Sequence, residues 1–279
     1  MCIAAFIWQD HPLYPLLLFL NRDEYYNRPT KPLAWWEDGG EIVGGRDEIA
    51  GGTWLACSRD GRLALVTNVR EIPFLSEPRS RGDLPRRFLQ SNKNPVEFAA
   101  EVVQEADQYN GFNLVLADLC SKTMIYLTNR PREENISATE VSPGIHVLSN
   151  ASLDTPWPKQ ALRLHKSLKE QLEIHGERDE VPMKEMVEKL MMDTVKDEEE
   201  SLRPGIYPPR REYLLSSIFV EADTPSGRYG TRSTSALSVK GNGDVCFYER
   251  SLEKGAWEER TVDFHIQKNM GVEAHPHSH

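Results

Sequence analysis

Six side chains spread along the chain have the chemistry of an amide-cleaving site: Cys2, Arg22, Asp23, Asn68, Asn150 and Arg232. Cysteine stands second, after an initiator methionine of the kind removed when the next residue is small. Removal would give Cys2 a free α-amino group, whose ordinary pKa of about 7.7–8.0 makes it a usable base near neutrality. Thiol nucleophile and general base would then share one residue. Such a reaction also needs donors for an oxyanion and charges that orient the nucleophile. Asn68 and Asn150, each at the end of an apolar run, are candidates for the first task. Asp23, Arg22 and Arg232 are candidates for the second. Each residue also has a plainer reading. Cysteine is among the most buried residue types and is inert when buried. Arg22 and Asp23 could form a structural ion pair. The two asparagines could cap turns, and Arg232 could be an ordinary strand-edge arginine.

The elements around these residues follow from the hydrophobic pattern. "CIAAFIW" and "PLLLFLNRDE" are nearly continuous apolar runs joined by the turn-forming "QDHPLY". They predict a hairpin at the centre of a sheet, which places Arg22 and Asp23 beside Cys2. "TWLACS" and "RLALVTN", joined by "RDG", predict two more strands and put Asn68 at a strand end. "RPTKPLAWWEDGG" and "IPFLSEPRSRGDLP" read as loops. Helical spacing follows in "LPRRFLQS" and "PVEFAAEVVQEADQY", with Pro95 in a first turn. "FNLVLADLCSKTMIYLTN" predicts a strand hairpin, and "GIHVLSNAS" a strand ending at Asn150.

Next comes an amphipathic helix, "PKQALRLHKSLKEQLEIH", with Leu162, His165, Leu168 and Leu172 on one face. "DTPWPK", around Trp157, sets its start, with Pro158 in the first turn. A second helix, "VPMKEMVEKLMMD", follows. "KDEEESLRPGIYPPRREY" reads as a solvated, Pro-rich loop. "SIFVEA", "TRSTSALSVKGNGDVCFYERS" and "WEERTVDFHI" predict the closing strands, with Arg232 near the start of the second. Strands and helices come in blocks, not in regular alternation. The fold class expected is therefore α/β (α+β), a four-layer α-β-β-α sandwich of antiparallel sheets. It would form one domain over residues 1–270, with a flexible tail at 271–279.

Composition narrows the function. The 279 residues are 39% hydrophobic, enough to bury a core. The formal net charge of -10 argues against a nucleic-acid groove and against adhesion to anionic membranes. The four cysteines make no CxxC pair, which removes zinc ribbons and redox dithiols and suggests reduced thiols in a cytosol-like compartment. No run approaches the ~20 apolar residues of a membrane span. "PLLLFL" lacks the basic flank of a signal peptide. No metal site is expected, and the terminal "HPHSH" would catch metal only adventitiously.

The stretch "NRDEYYNRP" (Asn21 to Pro29) is similar to the NRDE family, that of transport and Golgi organisation protein 2. "MCIAAF", "GGTWLA", "LVTNVRE", "LSNASLDTPWPK" and "YGTRSTSAL" carry the resemblance in order up to Leu237. It implies a fold related to N-terminal-nucleophile hydrolases of the choloylglycine and penicillin V acylase kind. By motif position Cys2 would match the nucleophile, Asp23 the aspartate, Asn68 and Asn150 the asparagines and Arg232 the late arginine. There is one departure. Those acylases carry an arginine three residues before the aspartate; here that place is Leu20, and the nearby arginine is Arg22.

The resemblance also implies a role in intracellular haem or lipid trafficking and in Golgi and secretory homeostasis. The protein would be cytoplasmic, with association to Golgi or mitochondria. It would require no cofactor, and haem would be a transported ligand. The alternative is an N-terminal cysteine amidohydrolase acting on a small-molecule C–N amide bond. A scaffold for secretory-pathway proteins is a third reading, with no interaction module legible. Haem usually takes an axial His, Cys, Met or Tyr. His146 and His165 are candidates, each also readable as a core histidine. Trp35, Trp36 and Trp54 could rim an apolar pocket or pack as core.

Overall fold

The first two apolar runs set the architecture. In the computed structural model, β1 (Cys2–Trp8) and β2 (Leu16–Tyr25) pair antiparallel, from Cys2 opposite Arg22 to Trp8 opposite Leu16. Side chains alternate across a strand. Ala4, Phe6, Trp8, Leu16, Leu18 and Leu20 therefore face one side, and Ile3, Ala5, Leu17 and Phe19 the other. Both faces are buried, which is why these strands read as continuous apolar runs. The structure describes residues 2–72, 75–132, 136, 138–156, 158–175, 180–198 and 206–267. Trp157, the tail at 271–279 and part of the acidic run lie outside these residues.

The other edge of β2 pairs with β12 (Gly227–Val239), which continues to β13 (Asp244–Glu253) and β14 (Ala256–His265). β10 (Gly144–Leu148) pairs with the free side of β1, and the short β11 (Glu221–Thr224) pairs with β12. The second sheet runs in chain order: β3 (Thr30–Trp35), β4 (Ile42–Asp47), β5 (Leu55–Ser58), β6 (Arg62–Asn68), β7 (Phe112–Asp118), β8 (Thr123–Thr128) and β9 (Ala138–Glu140). The main core lies between the two sheets, with Phe6, Leu18 and Phe247 from one meeting Leu55, Leu65 and Val115 from the other. Helices α1 (Asp83–Gln90) and α2 (Pro95–Glu105) cover the outer face of the second sheet. Helices α3 (Lys159–His175) and α4 (Met183–Met191) cover the first. The four layers expected from the sequence are present.

Local chemistry explains several boundaries. Asn94 caps α2, accepting from the Val96 and Glu97 N–H groups, while the Glu97 carboxylate accepts from the Asn94 N–H. The stretch read as a loop, "RPTKPLAWW", instead contains β3. It lies on a sheet edge, where a proline costs no ladder hydrogen bond. β4 contains Gly44 and Gly45, residues that weaken a strand signal, and β9 is only three residues long. The loop ending in "YPPRREY" contains a short helix, α5 (Pro209–Leu214). "SIFVEA" becomes a strand only from Glu221. In α3 the buried face is Ala161, Leu164 and Leu168, so Leu162 and His165 point to solvent, one position from the face expected.

Asn21, the first letter of "NRDE", is a structural tie. It is fully buried on β2. Its amide donates to the Met191 carbonyl at 2.7 Å and the Ile218 carbonyl at 3.0 Å, and its Oδ1 accepts from Thr234 at 2.7 Å. It thus binds the end of α4 and the approach to β11 onto the central strand. Asn21→Ala would leave two buried carbonyls and a hydroxyl without partners. The expected loss is about 2–4 kcal/mol, read as a lower urea midpoint with an unchanged slope.

Candidate functional site

At the Cys2 end of the β1–β2 hairpin the two sheets part around a cavity of about 460 Å³. Cys2, Arg22 and Asp23 come to its wall from the first sheet, and Trp54, Thr67 and Asn68 from the second. The hairpin register fixes the first group, because Arg22 stands directly opposite Cys2. The arginine adjacent to the aspartate thus lies beside the thiol although the position three residues earlier is leucine.

Arg22 is buried, and its guanidinium stacks on the Trp54 indole with 4.2 Å to the ring centroid. A long hydrogen bond of 3.4 Å reaches Thr30 Oγ1. Burial lowers its pKa. The indole has room because residue 45 is glycine: a Cβ there would lie 2.4 Å from the Trp54 ring. Of the three tryptophans singled out, only Trp54 lines the cavity. Trp35 packs edge-on against Phe264 and under Arg59, and Trp36 sits in the outer core with its indole N–H on the Gly44 carbonyl.

Asp23 is buried and accepts a hydrogen bond of 2.7 Å from Thr231 Oγ1. Burial pushes its carboxyl up to about 7, against the help of Thr231 and Arg22. Burial also raises the Cys2 thiol, outweighing a hydrogen bond from the Asp23 backbone N–H and the Arg22 charge. At neutral pH Cys2 is therefore a thiol, and any nucleophilic role needs a base.

The remaining candidates separate. Asn68 lines the cavity, whereas Asn150 lies behind it. The Asn150 amide donates to the Asn68 carbonyl at 2.8 Å and to Asn68 Oδ1 at 3.0 Å, so it holds the strand end that carries Asn68. Nearby, Thr67 Oγ1 donates to the Ser149 carbonyl at 2.8 Å and Asn113 Nδ2 to the Ala151 carbonyl at 2.8 Å. These bonds lace the second sheet to the end of β10. Arg232 does not line the cavity. It is the extra residue of a bulge, since Thr231 pairs with Asp23 and Ser233 with Arg22. Its guanidinium donates to backbone carbonyls of Tyr25, Arg28 and Leu252 and borders a separate small cleft with Glu249.

The two histidines considered as haem ligands lie elsewhere. His146 is buried with both ring nitrogens engaged, Nδ1 at 2.7 Å from Asp154 and Nε2 at 2.8 Å from the Ser142 carbonyl. His165 is on the exposed face of α3.

Several wall residues were not signalled by the sequence. Arg28 makes a two-pronged bond to Asp47 at 2.7 and 2.8 Å. Residues 79–82 form a strap over the cavity. The Gly82 carbonyl accepts from the Thr53 N–H at 3.0 Å, and Gly52 lies against Gly82 so closely that a Cβ would meet its carbonyl carbon at 2.4 Å. This contact carries Arg81 into the wall, where it donates to the Gly111 carbonyl at 2.9 Å. α5 and its lead-in add Tyr207 and Arg211, stacked at 4.2 Å, above the buried pair of Arg70 and Glu212. The glycines of "GGT" and "RGD" were the only sequence hint of a close backbone crossing.

Layers and cavity together define a four-layer α-β-β-α protein whose first strand delivers a cysteine to a polar, arginine-rich pocket. By sequence the chain belongs to the Transport and Golgi organisation 2 family, whose match spans residues 1–254. It is 35% identical over 284 residues to the mouse Transport and Golgi organization 2 homolog, covering 96% of this chain and all of the mouse protein. Against the human homolog the identity is 34% over 284 residues, with the same coverage. Among solved structures, a variant of the conjugated bile acid hydrolase from Clostridium perfringens aligns with a TM-score of 0.48 and 9% identity, covering 95% of this chain and 97% of that one. Among the described residues no helix is long and apolar enough to cross a membrane.

The raised Asp23 carboxyl has a signed consequence. Below about pH 4 it is protonated in both folded and unfolded chains and costs nothing. As pH rises to about 7 the unfolded chain ionises first, so folding stability falls; above that the loss is complete. Asp23→Asn removes this loss. The variant should match the parent near pH 4 and exceed it by up to about 4 kcal/mol above pH 7, measured as urea midpoints across the range.

Proposed function

We propose that the protein holds a small-molecule ligand, haem or lipid-like, in the Cys2 cavity and serves intracellular trafficking linked to Golgi and secretory homeostasis from the cytoplasm. One observation carries the choice of ligand handling over catalysis. The residue types of an amide-cleaving site are present, but Asn150 and Arg232 are committed to holding backbone, and burial keeps Cys2 protonated. What remains at the wall is a cavity of about 460 Å³ lined by arginines, tyrosines and Trp54. Small-molecule sites combine a concave space with a few convergent polar groups in this way. If haem is the cargo, the side chains at the wall able to meet its iron are Cys2, Tyr207 and Tyr229, not a histidine.

A second reading keeps specific support. The Asp23 backbone N–H points at the Cys2 sulfur, and the Asp23 carboxyl titrates near 7. In an N-terminal cysteine amidohydrolase the thiol would attack the amide carbonyl and pass its proton to the freed α-amine of Cys2. Asn68 would face the oxyanion, the amine would leave protonated, and water would release the acid.

Native mass spectrometry of the purified protein separates the two. The ligand-handling reading expects a small molecule that co-purifies and leaves on denaturation. A ligand-free protein whose intact mass lacks Met1, and which cleaves amides with Cys2 but not with Cys2→Ala, would favour the hydrolase. A retained Met1 rules out the hydrolase mechanism.

A further inference from the structure

The cavity wall has a charge pattern unlike the rest of the molecule. The chain carries a formal net charge of -10, yet five arginines (22, 28, 79, 81 and 211) line this cavity against three carboxylates, Asp23, Glu24 and Asp47. Two of the five are neutralised within the fold. Arg28 is paired to Asp47 at 2.7 Å, and Arg79 turns to Asp83 at 3.1 Å and Glu105 at 2.6 Å. Arg22, Arg81 and Arg211 have no carboxylate within ion-pair distance among the described residues. Arg22 has an indole face and a weak hydroxyl contact, Arg81 one backbone carbonyl, and Arg211 the Tyr207 ring. Burial lowers the pKa of both Arg22 and Arg81, and the carboxylates that act on them, Glu24 and Asp47 on Arg22 and Glu71 and Glu24 on Arg81, do so from beyond ion-pair distance and do not offset it. A guanidinium that is desolvated but unpaired is costly, and the cost is recovered when a ligand brings the anion.

We propose that the cavity receives its ligand by a carboxylate, with Arg81 as the selecting residue and Arg22 beside it on the Cys2 wall, a reading that rests on this cavity being the ligand site. The planar guanidinium fork matches a carboxylate two bonds at a time. A single negative charge suits the wall better than a doubly charged phosphate, because Glu24 and, once ionised, Asp23 face the same space and repel added charge. The strap that carries Arg81 is fixed by the Gly52–Gly82 contact, so the guanidinium is placed before any ligand arrives. The carboxylate would sit near the Cys2 thiol, whose electrostatics are coupled to both arginines.

The test uses the full chain and three probes: hexanoate, hexanamide and inorganic phosphate, by titration calorimetry. Hexanoate should bind saturably, and hexanamide and phosphate each at least about tenfold more weakly. Arg81→Gln should weaken hexanoate by about tenfold while leaving hexanamide unchanged, and Arg81→Lys should restore part of the loss. In the unaltered protein, saturating hexanoate should slow iodoacetamide alkylation of Cys2 and not of the exposed Cys120. That measurement stands if Arg81→Gln fails to fold. Equal affinity for acid and amide, phosphate binding that matches hexanoate, or hexanoate binding indifferent to Arg81→Gln would overturn the proposal. A neutral molecule co-purifying in the cavity while hexanoate is ignored would overturn it too, and would leave the ligand-handling reading intact.

Discussion

A guanidinium held between two β-sheets is the constraint around which this end of the molecule is arranged. Arg22 enters the space between the sheets because β2 alternates, and its neighbours on that face, Leu18 and Leu20, are core residues. A cation there needs something to replace water. Trp54 supplies a ring face, Gly45 supplies room for the ring, and Thr30 supplies one oxygen. On the far side Glu249 is buried, holds the Leu33 N–H at 2.7 Å, and is pushed up to about 7 by its own burial. None of these groups makes a close ion pair with Arg22. The charge is packed and shielded but not neutralised, and it faces the cavity that begins at Cys2.

The bulge in β12 is the second element of the same design. One extra residue, Arg232, lets Thr231 reach Asp23 while Ser233 stays opposite Arg22. The displaced arginine satisfies the Tyr25 and Arg28 carbonyls at the turn after β2 and the Leu252 carbonyl of β13. Arg22 and Asp23 are therefore not partners of each other. They project to opposite faces of the sheet, one stacked on an indole and the other bonded to a threonine.

What was legible in the sequence was what local pattern controls. The hairpin of β1 and β2, and with it the juxtaposition of Cys2 with Arg22 and Asp23, followed from two apolar runs and a turn. The block order of strands and helices gave the four layers. The pattern failed where residues with weak strand signals sit in sheets: Pro32 in β3, and Gly44 and Gly45 in β4. It also could not separate Asn68 from Asn150, because both close an apolar run in the sequence: Asn68 ends β6, whereas β10 stops at Leu148, and only the packing of one sheet on the other puts Asn68 in front. Arg81 was illegible for a different reason. It lies in a loop far from Cys2 in sequence, and its place depends on two glycine backbones touching across Gly52 and Gly82. His146, a plausible ligand by type, was already engaged by an aspartate eight residues on.

The lacing beside the cavity bears on what sort of opening this is. Thr67, Asn113 and Asn150 join the end of the second sheet to the end of β10 through side-chain bonds to main-chain carbonyls. The two leaves of the sandwich are sewn together next to the mouth, so the opening does not work as a book that hinges along its spine. The stitches are one hydroxyl and two amide side chains, each bonded to a main-chain carbonyl. Widening this opening would therefore call for a change of stitch, not a change of core.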